Sequence, residues 1–398
     1  MKSTPLKVIV FFILTIQFCF GQTYQDSILS SNPLKTSLDS LVQRSAEHYL
    51  QSPITVDLSI GIITGDLAKQ YHYHRGAGNL SRTHTIFGLG SIAKTFVGIM
   101  LAQAVIEKKV NLDNDIRKYL PGEYPNLQYK GHPVRLVDLA NHTSALPSMS
   151  RNYDDKYLDS ITKLPHKAFR EFYRVYTADS LFRDMHKFVL DTVPGTKFRY
   201  NGNAMMVLIA LLERIYHKPY NDLVTSYLKD QLGMKDTKPQ LSAKDERRLI
   251  AGHDDRGKVL PFVPDYGYRA APSMFSTLGD MLKYASANLN MLKYASTNLK
   301  NNHAAIALSH KTTFTRPDGM RMGLGWMMDK EENGLSYLMH TGRDGCGFTA
   351  LCYLYPEKNT AIIILANDSS GQERLAELKD TLLANMLKLD NSNSFQLH

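Results

Sequence analysis

The sequence predicts an α/β (α+β) fold: an antiparallel sheet built from both chain ends, flanked by helices, with an all-helical domain inserted between the two halves. Three observations predict it. Apolar residues alternate near the N-terminus at Thr55–Thr64, with a partner run at Gln70–His74. Further strand-like runs follow one another between Met322 and Leu365. The stretch between them, about residues 90–280, is dominated by helical patterns. Strands at both ends around a helical middle bury their apolar faces most simply by joining in one sheet.

The elements follow in order. Leu38–Leu50 reads as a helix. In Thr55–Thr64, Val56, Leu58, Ile60 and Ile62 share one face, as expected of a half-buried strand. Gly65-Asp66 is a turn into the partner strand Gln70–His74. A long apolar helix is expected from Ser91 to Lys108, and a short one at Val134–Asn141. Residues 150–187 are polar and tyrosine-rich, which suggests a helical excursion over a cleft. Pro194-Gly195 is a turn, and helices are expected at Ala204–Tyr216 and Tyr220–Leu232. Four late strands are expected at Met322–Trp326, Leu335–His340, Phe348–Tyr355 and Thr360–Leu365, then a helix at Glu373–Leu387. Met281–Asn290 and Met291–Lys300 form a tandem decapeptide repeat. Ten residues make about 2.8 helical turns, so one copy should pack and the other extend or distort the helix end.

The first 21 residues read as a secretory signal: Lys2 and Lys7, an apolar run Val8–Phe20, then Gly21-Gln22. The run is shorter than the ~20 residues that span a bilayer, so an exported protein with no membrane span after cleavage is expected, in the periplasm or secreted. Residues 22–35 read as a linker, 36–388 as one domain with a mostly helical insertion at about 90–280, and 389–398 as a tail. Without the leader the net charge falls from +9 to +7, which suits an anionic cell-wall surface or simple solubility. No dense Lys/Arg run with interleaved aromatics points to nucleic acid. Cys346 and Cys352 are six apart in a turn-then-strand segment. An extended strand separates such residues by ~20 Å, too far for a disulfide, so free thiols are expected.

Chemistry is concentrated at Ser91. Gly88 and Gly90 precede it, an apolar helix follows, and Lys94 lies three residues on. On a helix such residues share a face with Cβ atoms ~5–6 Å apart. A hydroxyl, a neighbouring amine and a helix N-terminus are the ingredients of nucleophilic acyl transfer. The same spacing recurs at Ser160–Lys163 and Ser226–Lys229; the glycines, the helix and the downstream partners single out Ser91. Those partners are Pro194-Gly195-Thr196-Lys197-Phe198-Arg199-Tyr200-Asn201-Gly202-Asn203 and His340-Thr341-Gly342-Arg343. Metal catalysis would want a denser histidine cluster than His72-x-His74, and the Gly-x-Ser-x-Gly of an α/β-hydrolase is not found around Ser91. No metal and no cofactor is expected.

This ordered set resembles the penicillin-recognising serine hydrolases, most closely the class C β-lactamase and serine D-Ala-D-Ala carboxypeptidase branch. Val134–Pro147 resembles that family's helix ending in His-Thr-Ser-Gly-Leu-Pro, with Ala145 for the glycine, and Leu324-Gly325-Trp326 and Tyr353–Asn367 fit its late strands. The resemblance spans about residues 36–385 and implies the β-lactamase/transpeptidase-like fold. It implies Ser91 as the acylated nucleophile, with Lys94 taking up its proton. Tyr200 is implied as a second base, expected as a phenolate stabilised by nearby positive charge. The N–H groups of Ser91 and Arg343 are implied as the oxyanion hole, with His340, Thr341 and Gly342 lining the substrate strand. Tyr200 as an ordinary core tyrosine and His340 as an ordinary strand histidine are the structural alternatives.

Two positions depart from the pattern. The family usually has Tyr-x-Asn, whose Asn contacts the substrate amide; here Gly202 stands there, and Asn201 or Asn203 would have to substitute. The third lactamase motif usually begins with lysine; here it begins with His340, mostly neutral at pH 7. Peptidases of this fold use His-Thr-Gly, which tilts the reading toward D-Ala-D-Ala-type peptides, with Arg343 binding a substrate carboxylate. The expected substrate is thus a small peptide, with peptidoglycan as its source, or a β-lactam. An esterase, a D-amino-acid peptidase, and a non-catalytic penicillin- or cell-wall-binding module are the alternatives on this fold. Oligomeric state is left open.

Overall fold

The computed structural model describes residues 27–147, 175–262, 272–293 and 301–394, apart from 53, 77–79, 81, 82 and 370, together with 168 and 171. The expected leader, residues 294–300 of the decapeptide repeat and most of the 150–187 excursion lie outside the described residues.

A nine-stranded antiparallel sheet organises the chain. Three strands come from the N-terminal side: β1 (Ile28–Ser30), β2 (Asp57–Thr64) and β3 (Leu67–Arg75). Two short pairs follow, β4 (Phe87–Gly88) with β7 (Phe275–Ser276), and β5 (Gln128–Tyr129) with β6 (His132–Pro133). Six more strands join the sheet from the C-terminal side: β8 (Phe314–Thr315), β9 (Arg321–Met322), β10 (Met327–Lys330), β11 (Ser336–Arg343), β12 (Thr349–Tyr355) and β13 (Thr360–Ala366). The sheet order is β1-β3-β2-β13-β12-β11-β10-β9-β8. The two chain ends therefore meet where β13 pairs with β2, with Ile364 opposite Ile60. This is the composite sheet expected from the sequence.

The sheet is covered on both faces, which corrects the half-buried reading of β2: seven of its eight residues are buried. On one face Leu58, Ile60, Ile62, Ile362 and Ile364 pack against α1 (Ser37–Tyr49) and the C-terminal helix α10 (Gln372–Ser394). On the other, Ile63, Ala361, Ile363 and Leu365 join the main core with α2 (Ala93–Ile106) and α8 (Leu278–Lys293). Alternation along β13 thus sends apolar residues both ways. A Cβ on Gly61 would lie 3.0 Å from Leu278, so glycine in β2 lets α8 settle on the sheet.

Among the described residues the helices between the sheet halves begin with α2, α3 (Leu136–Ala140), α4 (Ala178–Met185), α5 (Gly202–Tyr216), α6 (Tyr220–Leu232) and α7 (Ala243–Glu246), followed by α8. After α8 comes α9 (Asn301–Ser309). The first decapeptide copy lies inside α8 with Met281, Tyr284, Ala285 and Leu289 buried, as expected of a normally packed copy. The backbone of the second copy continues the helix to Lys293. Cys346 and Cys352 are buried thiols.

Two local expectations change. Met322–Trp326 is a bend between β9 and β10, because Gly325 takes φ +76°. The bend packs on α2: a Cβ on Gly98 would lie 1.9 Å from the Leu324 carbonyl oxygen, and one on Gly325 would lie 2.4 Å from that of Lys94. Ser91 itself sits in a 3₁₀ turn, Gly90–Ile92, and the α-helix begins only at Ala93.

Gly98 supplies a direct check on this packing. Alanine is favoured over glycine in helices by ~1 kcal/mol, yet here its methyl would strike backbone. Gly98→Ala is expected to destabilise the protein by about 1–3 kcal/mol in urea denaturation; a stabilised variant would show that the bend does not rest on α2.

Candidate active site

The turn carrying Ser91 is pressed against β11 at backbone distance. A Cβ on Gly342 would lie 1.9 Å from the Leu89 carbonyl oxygen and 3.1 Å from the Ser91 nitrogen. A Cβ on Gly90, which has φ +49°, would lie 2.5 Å from the Arg343 nitrogen. Only glycine fits at either position. The pair brings the main chain at Ser91 beside that of Arg343, the two N–H groups expected to face a developing oxyanion. Leu89 N–H donates to Met274 O at 2.8 Å and anchors the turn from its other side.

Lys94 occupies the first turn of α2 and is fully buried. Its Nζ lies 2.7 Å from Ser91 Oγ and 4.9 Å from the centre of the Tyr200 ring. No carboxylate ion-pairs with it among the described residues. Burial therefore acts unopposed and lowers its pKa to about 7. By contrast, Ser226 and Lys229 lie exposed on α6, and Ser160–Lys163 lies outside the described residues.

Tyr200 precedes α5 and hydrogen-bonds Ser91 through its hydroxyl. The residue keeps 45% of its surface exposed, so its ring walls the site mouth. Burial at the hydroxyl end raises its pKa, with the Ser91 hydrogen bond opposing. This corrects the expected resting phenolate: a neutral phenol beside a readily deprotonated lysine is the favoured state.

His340 points its imidazole into the same region from β11, 6.4 Å from the Tyr200 ring, and is buried. Burial first, then the Lys94 charge, pushes its pKa down to about 3. Its Nδ1 lies 2.6 Å from the Thr341 carbonyl; a carbonyl only accepts, so Nδ1 carries the proton. Thr341 is partly exposed, Gly342 is buried in the backbone contact, and Arg343 is exposed at the strand end. Just beyond, Asp344 accepts from Cys346 N–H at 2.9 Å and Phe348 N–H at 3.1 Å, closing the turn.

Asn201 and Asn203 lie behind the site. Asn201 caps α5, its Oδ1 accepting from Asn203 N–H at 2.9 Å and Ala204 N–H at 3.3 Å. Its Nδ2 donates to Leu146 O at 2.7 Å. Asn203 Nδ2 donates to Pro147 O at 3.2 Å. Both side chains are buried and tie loop 141–147 to the start of α5. Ala145, where the family pattern has glycine, takes φ +58° in that loop, a region costly for residues with a Cβ.

Sequence reasoning missed His142. It follows α3, takes φ +64°, and is buried with its ring 4.5 Å from that of Tyr200. The signal for it was present in the Asn141-His142-Thr143-Ser144 run, but nothing in the spacing says that this loop meets Tyr200.

Known proteins resemble this chain over most of its length. A family profile described as Beta-lactamase matches residues 58–385. The D-alanyl-D-alanine-carboxypeptidase/endopeptidase AmpH of Escherichia coli K12 is 24% identical, covering 83% of this chain and 84% of its own length. A beta-lactamase of Pseudomonas fluorescens is 22% identical, covering 88% and 99%. Among solved structures, the beta-lactamase/D-alanine carboxypeptidase of Yersinia pestis complexed with citrate superposes with TM-score 0.72 at 21% identity, covering 88% and 98%. At that identity the superposition shows the fold alone.

The buried role of Asn201 is testable. Asn201→Ala is expected to lower stability by about 1–2 kcal/mol, the range for loss of an N-cap, as read by thermal unfolding. A raised KM with unchanged melting would instead mark a substrate contact.

Proposed function

The chain belongs to the beta-lactamase family and is a serine hydrolase; from that premise we propose that it is an exported acyl-transfer enzyme, with Ser91 as nucleophile, that trims peptides ending in D-Ala-D-Ala. The carrying observation is the buried Lys94, 2.7 Å from Ser91 Oγ with its pKa lowered to about 7. A lysine in ordinary water is protonated at pH 7; burial draws this one toward the neutral, proton-accepting form.

In the proposed reaction Ser91 Oγ attacks the scissile carbonyl as its proton passes to Lys94 Nζ. Oxyanion charge develops beside the Ser91 and Arg343 N–H groups. The C–N bond then breaks, and the leaving amine takes a proton delivered through Lys94 and the Tyr200 hydroxyl. Water hydrolyses the resulting ester and restores Ser91. No cofactor enters these steps.

Substrate choice follows from charge. His340 is neutral over the physiological range, so it supplies no fixed cation for a substrate carboxylate. Arg343, exposed at the end of the same strand, is positioned to supply one. The similarity to AmpH, a carboxypeptidase/endopeptidase by name, supports the peptidase reading. The apolar N-terminal run supports export, and no helix among the described residues is long and apolar enough to cross a membrane.

Incubation with a D-Ala-D-Ala-terminated peptide and, separately, with benzylpenicillin tests the reading by amino-acid release and intact mass. Released D-alanine and a slowly decaying penicilloyl adduct on Ser91 are expected, and neither in Ser91→Ala. Consumed penicillin with no D-alanine would assign a β-lactamase instead. Neither product would leave an esterase, a D-amino-acid peptidase or a binding module.

The pH dependence has a definite sign. Lys94 acts when neutral, so acylation should rise as pH increases through about 7 and level off above. A profile flat from pH 6 to 9 contradicts this. Arg343→Ala is expected to slow acylation by carboxylate-bearing substrates by about 3- to 10-fold while sparing an uncharged phosphonate probe.

A further inference from the structure

His142 grips the chain on both sides of Tyr200. Its carbonyl oxygen accepts from Arg199 N–H at 2.8 Å, and its Nδ1 accepts from Asn201 N–H at 3.2 Å. Its ring lies against the Tyr200 ring at 4.5 Å and 41°. Phe198 meets the imidazole edge-on at 6.0 Å and holds it from the other direction. One residue thus fixes the backbone before and after Tyr200 and one face of its ring. Nearly half of the Tyr200 surface is exposed, so this grip adds to the Ser91 hydrogen bond and the Lys94 and His340 contacts in setting where its hydroxyl points.

Nε2 of His142 is buried and makes no hydrogen bond among the described residues, as is also true of one ring nitrogen of His72, His310 and His340. Because Nδ1 accepts, the ring proton resides on Nε2. Lys94 and His340 face the imidazole; burial first, and then the positive charge that either neighbour would carry when protonated, disfavours its protonation. A neutral ring is required, since a protonated one would lose the acceptor that holds Asn201 and would add charge beside Lys94. The residue also sits at φ +64°, a conformation a residue with a Cβ keeps only where its surroundings demand it.

We infer that the His142 side chain is a positioning group for Tyr200, holding the phenol at Ser91 through the Nδ1 bond to the Asn201 N–H and the ring contact. The inference rests on the acyl-enzyme reading, in which Tyr200 relays protons.

The test is a double-mutant cycle on the second-order rate of Ser91 labelling by a fluorescent alkyl phosphonate. His142→Ala removes acceptor and ring together. His142→Asn retains a carbonyl acceptor and tolerates a left-handed backbone. Labelling is expected to fall about 100-fold in His142→Ala and about 10-fold in His142→Asn, the scale of a misplaced catalytic group. In a Tyr200→Phe background each substitution should cost less than about threefold, because the hydroxyl being positioned is gone. Equal falls in both backgrounds, or wild-type labelling in either single variant, would overturn the inference. If His142→Ala does not fold, the Asn arm decides alone. Wild-type protein that shows no Ser91-dependent labelling would overturn the acyl-enzyme reading and this inference with it.

Discussion

Everything at this site depends on an amine buried without a counter-charge. Removing an ammonium from water is costly, and a protein that buries one normally supplies a carboxylate. Here the described surroundings of Lys94 are a serine hydroxyl, an aromatic ring and two imidazoles held neutral. The cost shows as a pKa drawn down from the ordinary lysine value. The neutral histidines belong to the same constraint, since each would otherwise place a cation beside it. A lysine at the usual third-motif position would also do so; His340 avoids it.

Burial of Lys94 requires close packing around α2, and glycine provides it. Gly98 and Gly325 let the 323–326 bend lie directly on the helix, while Gly90 and Gly342 let the Ser91 turn lie directly on β11. Behind Lys94, Tyr284 donates to Thr95 Oγ1 at 2.7 Å and stacks under Trp326. The rigid sheet thereby carries its rigidity to the serine, while the opposite wall is a pair of loops. Those loops are joined by Gly195 N–H to Thr143 O at 2.9 Å, by His142 and by Asn201. Tyr200 stands on that joint.

Much of this was legible in the chain itself. Strand alternation at Thr55–Thr64 and the late apolar runs placed both halves of the sheet, and the helix at Tyr220–Leu232 matched at both ends. Ser91 and Lys94 were readable because a three-residue step is local, and it survives although Ser91 lies in the 3₁₀ turn that precedes α2. What was not legible depends on contacts between distant segments. The second buried face of β2 follows from α8 packing on Gly61. The bend at Met322–Trp326 follows from α2, not from its own strand-like composition. Asn201 and Asn203 looked like candidates for a missing amide contact, but both side-chain amide atoms of Asn201 are engaged by the helix start and loop 141–147, and Asn203 Nδ2 is engaged by Pro147 O. His142 was overlooked because its significance lies in a partner 58 positions away. The resting state of Tyr200 depends on desolvation, which a sequence does not display.

The most direct measurement is the ionisation of Lys94 itself. Protein labelled with ¹³C at lysine Cε, titrated by NMR and assigned by the resonance missing in Lys94→Met, reports that one amine. A midpoint near 7 is the result this account predicts. A midpoint at the ordinary lysine value, above about 10, would mean that Lys94 stays charged beside Ser91, and the mechanism built on it would fail.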